Sequence, residues 1–231
     1  MVAEILHSGF DGLRLTIETD IPPAFRERLS AAKAEAVETN RESILDFGGI
    51  VLGVRRSGGM AFSAHTGDMG AEWYFLDPEN RPANNPGITV DFRAFLLATG
   101  GLRAAQEHLE ACMRAFGIPY GENQVRVTRT DFAIDILAPW FEPNRNDLVL
   151  PPKTKAVEFT GPSDSETHAS GTRVTGLRAG KGESRQLVIY DKRTEVIEKG
   201  KAGWLKIWNA TRTSLGKPEL DIKDPDQSRV W

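Results

Sequence analysis

The chain has 231 residues, of which 40% are hydrophobic and 26% charged, with a formal net charge of −3, a composition ordinary for a soluble globular protein. No apolar run approaches the roughly 20 residues needed to span a bilayer, and the opening MVAEILHSGFDG lacks a signal-peptide pattern, so a cytoplasmic protein with no membrane partner is expected. A single cysteine, Cys112, excludes an intrachain disulfide; it shares a helical apolar stripe with Leu109, Met113 and Phe116 and reads as core.

Leu13–Glu18 alternates apolar and polar residues, the pattern of a strand. Pro22 and Pro23 then open a helix to about Thr39, with Phe25, Leu29, Ala32 and Ala36 on one face. Gly49–Arg56, Met60–Thr66 and Ala71–Leu76 are expected to form a meander broken by glycine turns. After a polar, proline-rich loop come a short strand, Ile88–Phe92, and an amphipathic helix, Arg103–Phe116. Val125–Leu137 is a long strand, and Pro139–Pro152 an irregular connection. Lys155–Thr160, Arg173–Arg178 and Gln186–Tyr190 form three more strands, with a polar stretch, Gly161–Gly171, between the first two. A helix runs from Asp191 to about Gly200 and resumes through Trp204 and Trp208, and Ser228–Trp231 begins another extended piece. This order predicts an α+β fold with largely antiparallel sheets and packed helices. Ending on an apolar, strand-like run, the chain is expected to be truncated at its C-terminus.

Charge is unevenly distributed. Residues 1–124 carry 11 Lys and Arg against 17 Asp and Glu, whereas residues 125–231 carry 18 against 15. The expected organisation is an α+β part over 1–124 containing the meander, and a more basic part over 125–231 that carries the segments described next. Gly171–Arg193 holds six basic residues and two acidic ones, a local footprint for phosphate even on an acidic protein. Arg173, Arg178, Lys181 and Arg185 belong to it, and Arg129 adds a cation on the long strand.

Two segments carry the chemistry. On a regular strand Arg129, Asp131, Ala133 and Asp135 share one face, leaving Phe132, Ile134 and Ile136 for the core side. Four residues at ~3.3 Å each separate the two aspartates by about 13 Å, too far for one ion unless the strand bulges. In the second segment Asp191 caps a helix and Glu195 lies one turn on. Carboxylates such as Asp131, Asp135, Asp191 and Glu195 favour hard cations, Mg²⁺ or Mn²⁺. A metal-bound phosphate next to a tyrosine suits strand transfer through a phosphotyrosyl ester. Of Tyr74, Tyr120 and Tyr190, only Tyr190 adjoins these acids, with Lys192 two residues away. The four histidines are scattered, zinc has no ligand set, and no P-loop occurs.

Three pieces resemble the rolling-circle replication initiation factor family, the Rep_trans-type initiators of plasmids and mobile elements. Gly9–Glu18 (GFDGLRLTIE) is similar to the family's first strand, Arg129–Asp135 (RTDFAID) to its R-x-D-x-A-x-D strand, and Thr175–Glu195 (TGLRAGKGESRQLVIYDKRTE) to its glycine turn and I-Y-D-K-x-x-E junction. The resemblance implies a site-specific nickase that acts with a divalent metal, leaves a 5′-phosphotyrosine, and works with origin DNA and a host helicase. Where plasmid members carry the nucleophile this chain has Arg178, and Trp231 ends it before the family's following arginine and glutamate. A catalytically inert DNA-binding relative and a conjugative relaxase of the same fold are the alternatives.

Overall fold

A computed structural model describes residues 2–82, 85–147, 149, 156–159, 175–180 and 185–231. The fold is α+β. Seven strands make one antiparallel sheet: β1 (Glu4–Ile17), β2 (Ser43–Phe47), β3 (Ile50–Val54), β4 (Phe62–His65), β5 (Ala71–Phe75), β6 (Ile88–Phe92) and β7 (Val125–Leu137), in the order β2-β3-β4-β5-β6-β1-β7. A second sheet has the order β10-β9-β8, from β8 (Ala156–Phe159), β9 (Gly176–Gly180) and β10 (Gln186–Tyr190). The helices are α1 (Pro23–Thr39), α2 (Ala94–Ala115), α3 (Lys192–Glu198), α4 (Ala202–Ser214) and α5 (Pro225–Ser228). No helix among the described residues is long and apolar enough to cross a membrane.

The chain divides into two compact units, Gly9–Ala133 and the residues up to Ser8 together with Ile134–Trp231. Both β1 and β7 run from one unit into the other, so the division falls inside strands rather than at residue 124. In the N-terminal unit the alternation of β5 and β6 turns Ala71, Trp73, Phe75, Ile88, Val90 and Phe92 to one face, where all are buried. Phe25 and Leu29 of α1 and Leu109, Cys112 and Met113 of α2 join them in a single core cluster. Phe116 knits this core together: its ring stacks on Phe25 at 4.5 Å between centroids and meets Trp73 edge-on at 5.4 Å.

Several elements differ from expectation. β1 is longer than Leu13–Glu18, and β2 carries too few buried residues to announce itself, with Ile44 68% exposed beside buried Leu45. The Gly100-Gly101 pair kinks α2 instead of preceding it, because Gly101 takes φ 65°, a conformation that interrupts the helix and then lets it resume.

The faces of β7 are reversed. Phe132 and Ile134, expected in the core, are 62% and 47% exposed, whereas Asp135 and Leu137 are buried. β7 is an edge strand, and only Val125 of its residues packs against the helix-covered core cluster. Burial there is therefore decided by local partners rather than by side-chain polarity.

In the C-terminal unit Leu6, Leu137, Leu177, Ala179, Val196, Trp204, Trp208 and Val230 are buried. Arg229–Trp231 are extended, as expected, whereas Ser228 still belongs to α5. Trp231 and Ile136 exchange main-chain hydrogen bonds of 2.9 and 2.8 Å, and the Trp231 indole donates to the Ala138 carbonyl at 3.1 Å.

Urea denaturation should separate the two kinds of aromatic. Phe116→Ala is expected to cost about 3–5 kcal/mol, the range for emptying a core aromatic site. Phe132→Ala should cost about 1 kcal/mol or less, since it forfeits mainly an edge contact with Phe10.

Candidate active site

The junction between β10 and α3 concentrates the reactive side chains. β10 delivers Tyr190 at its end, and Asp191 turns the chain into α3 by accepting a hydrogen bond from the Thr194 amide at 3.0 Å. α3 is short: Gly200, at φ 62°, reverses the chain and α4 begins two residues later. This tight helix–turn–helix brings Lys199 and Lys201 back over Glu195.

Glu195 is the hub. Its Oε2 accepts the Tyr190 hydroxyl at 3.0 Å and faces Lys192 Nζ at 3.1 Å. Its Oε1 takes Lys201 Nζ at 2.6 Å and Lys199 Nζ at 3.4 Å. Lys192 also donates to the Tyr190 hydroxyl oxygen at 2.8 Å and lies 4.4 Å above the Trp204 ring. Glu195 and Lys192 are only 5% and 4% exposed. Burial by itself pushes the Glu195 pKa up; the charges of Lys192 and Lys201 and their hydrogen bonds outweigh it and bring it down to about 2. The carboxylate is therefore ionised throughout the physiological range.

The other acids have separate partners. Asp135 is 4% exposed and accepts the Trp208 indole N–H at 2.8 Å, one helical turn along α4 from the Trp204 that supports Lys192. Asp131 belongs to the N-terminal unit, where Arg129 binds both its oxygens, at 2.9 and 2.6 Å. A Cβ on Gly12 would sit 2.6 Å from Asp131 Oδ2, so glycine there leaves the carboxylate its room.

The structure thus gathers Tyr190, Lys192 and Glu195 into one hydrogen-bonded cluster, with Asp191 as the adjoining helix cap. Among the described residues, no group of three or more His, Cys, Asp or Glu side chains is placed to hold a metal ion. Both Glu195 oxygens face ammonium groups, an arrangement that repels a divalent cation and does not fit one. Arg185 is exposed at the start of β10 and Arg178 partly buried on β9, opposite Val188. Arg173 and Lys181 lie outside the described residues. Sequence reasoning missed Lys199, Lys201 and the Trp204 platform; the signal was there in Lys-Gly-Lys between two helical patterns. Compared with family models and with curated proteins, the chain matches none.

The Glu195 pKa carries a stability consequence. A carboxyl at about 2 when folded and near 4.5 when unfolded contributes stability that is fully present above pH 4.5 and is lost as pH falls toward 2. Glu195→Gln should cost about 3–5 kcal/mol at pH 7, because Lys192 stays buried without its counter-ion. In chemical denaturation the gap between the two proteins should narrow as the pH is lowered from 5 to 2.

Proposed function

We propose that this chain is a replication initiator of the rolling-circle type, which binds origin DNA and breaks one strand by transesterification at Tyr190. The observation that carries the reading is the Tyr190 hydroxyl held between a buried carboxylate and a buried ammonium, at 3.0 and 2.8 Å. A phenol attacking phosphorus needs its lone pair aimed, its proton removed and its developing charge offset. Glu195 fixes the hydroxyl direction, and Lys192 stands where it offsets charge on the phenol oxygen. As the Tyr190 oxygen–phosphorus bond forms, the bond from phosphorus to the sugar 3′ oxygen breaks. The phenol proton leaves through Glu195, and the 3′ oxygen takes a proton from solvent to become a hydroxyl. With its pKa near 2, Glu195 passes that proton on to water rather than keeping it. The product is a 5′-phosphotyrosine that stores the bond energy for rejoining.

On this reading Arg178, Arg185 and the basic β9–β10 segment hold the strand, and the protein acts in the cytoplasm, where origin DNA and a host helicase are found. One observation favours a second reading, a DNA-binding relative without nicking activity: Glu195 is saturated by three lysines, an arrangement that also serves as plain structural support.

The experiment uses labelled single-stranded oligonucleotides tiled across the DNA flanking the gene, with Mg²⁺, with Mn²⁺ and with chelator. Wild type should form a covalent adduct on one of them, and Tyr190→Phe should form none while binding that DNA within about twofold of wild type. An adduct that survives Tyr190→Phe would falsify the role of Tyr190. Binding without any adduct, in wild type as in the variant, establishes the second reading instead.

Binding has its own measure. Affinity for single-stranded DNA should fall with salt at a slope of about −0.7 per contacted phosphate, and replacing Arg178 and Lys181 together by Ala should flatten the slope by about one to two contacts. An unchanged slope would place the DNA elsewhere on the protein.

A further inference from the structure

Lys192, Lys199 and Lys201 stand around the single carboxylate of Glu195, so these four side chains together carry two positive charges, as many as a divalent ion. The neighbouring acids are turned elsewhere, Asp191 to the Thr194 amide and Asp135 to the Trp208 indole. The lysines differ in what they can reach. Lys192 keeps only 6% of its side chain exposed, between the phenol, the carboxylate and the Trp204 ring, whereas Lys201 keeps 40%. Lys201 bonds Glu195 Oε1 at 2.6 Å, the oxygen opposite the one that accepts the Tyr190 hydroxyl. An ammonium has three N–H donors, and Glu195 takes one of them. Lys201 is also the residue from which α4 starts, and no side chain caps that end. The positive end of the helix dipole therefore lies beside the same ammonium.

We infer that Lys201, with Lys199 beside it, holds the phosphate at Tyr190 directly, with no divalent ion between protein and strand. The inference rests on the reading of Tyr190 as the strand-breaking phenol. A phosphorus about 3–3.5 Å from the phenol oxygen is in position for attack. Phenol and Lys201 bond the two oxygens of one carboxylate, so the non-bridging oxygens of that phosphate come within reach of the flexible lysine stem. Negative charge on those oxygens is offset as the new oxygen–phosphorus bond forms, by cations fixed before the strand arrives. Lys201 gives up no proton; the proton and the leaving oxygen move as described above. An ion held by Glu195 would have to displace these ammonium groups, and the structure instead uses them as the local positive charge.

Binding is measured first, because it requires no bond to break. The probes are the tiled single-stranded oligonucleotides, with chelator present. Lys201→Ala should flatten the salt slope by about 0.7, one phosphate contact, and Lys201→Arg should restore it. Mn²⁺ should not tighten binding by wild type. Adduct formation is read next, on metal-stripped protein, where the rates with chelator and with Mg²⁺ should agree within about twofold. Lys201→Ala should be slower by about 10²–10³-fold. A methylphosphonate at the scissile position lacks the charged oxygen and should shrink that difference to about tenfold or less. A variant that had only lost its structure would be equally impaired on both substrates. An unchanged slope in Lys201→Ala overturns the inference, as does an adduct that forms only with metal, or failure of every oligonucleotide to bind. If DNA binds and no adduct forms under any condition, the reading of Tyr190 falls, while the slope still decides whether Lys201 holds phosphate.

Discussion

The buried ion pair between Lys192 and Glu195 is the constraint around which the C-terminal unit is organised. A carboxylate and an ammonium so far removed from water carry a desolvation cost of several kcal/mol each unless every polar atom finds a partner. Here the partners come from three consecutive pieces of chain: Tyr190 from β10, Lys192 from the start of α3, and Lys199 and Lys201 from the turn that joins α3 to α4. Trp204 gives the buried ammonium a ring face. Satisfying one carboxylate thereby sets how the strand meets the helix and how that helix meets the next.

The same cluster restricts the chemistry available. A glutamate held by ammonium groups is a strong orienting acceptor and a poor metal ligand, and a phenol bonded to it has its direction set before any substrate arrives. Orientation of this kind removes part of the entropic cost of attack. The N-terminal unit solves a comparable problem without a reactive group: Glu72 is 8% exposed and takes Arg55 at 2.7 Å together with Arg93. That triad lies on the sheet face opposite Trp73, so charge and apolar core occupy the two sides of one strand.

Much of the fold was legible because it rests on local spacing. The bounds of β6, β7 and β10 follow from short alternating runs ended by turn residues, and α1 from two prolines followed by apolar residues at helical intervals. Asp191 was legible as a cap because a short acceptor before a helical pattern has few other uses. The juxtaposition of Tyr190, Lys192 and Glu195 was legible for the same reason, since a strand end and one helical turn place them within reach. β2 was missed because a five-residue strand with two buried side chains has almost no period to read.

By itself, then, the sequence determined the element types, the α+β class and the nearness of a tyrosine, a lysine and a glutamate at one strand–helix junction, all properties of residues a few positions apart. The tertiary structure alone decided which face of β7 is covered and what each acid binds. Asp135 is buried with Trp208, 73 residues away, whose indole donates it a hydrogen bond that no local pattern announces. Phe132 is exposed because its edge strand lies outside the helix-covered core, a fact of strand order and not of polarity. Glu195 stands at the centre of a lysine cluster because Gly200 folds α4 back on α3, and the closest charges, not the sequence pattern, set the electrostatics of a buried group.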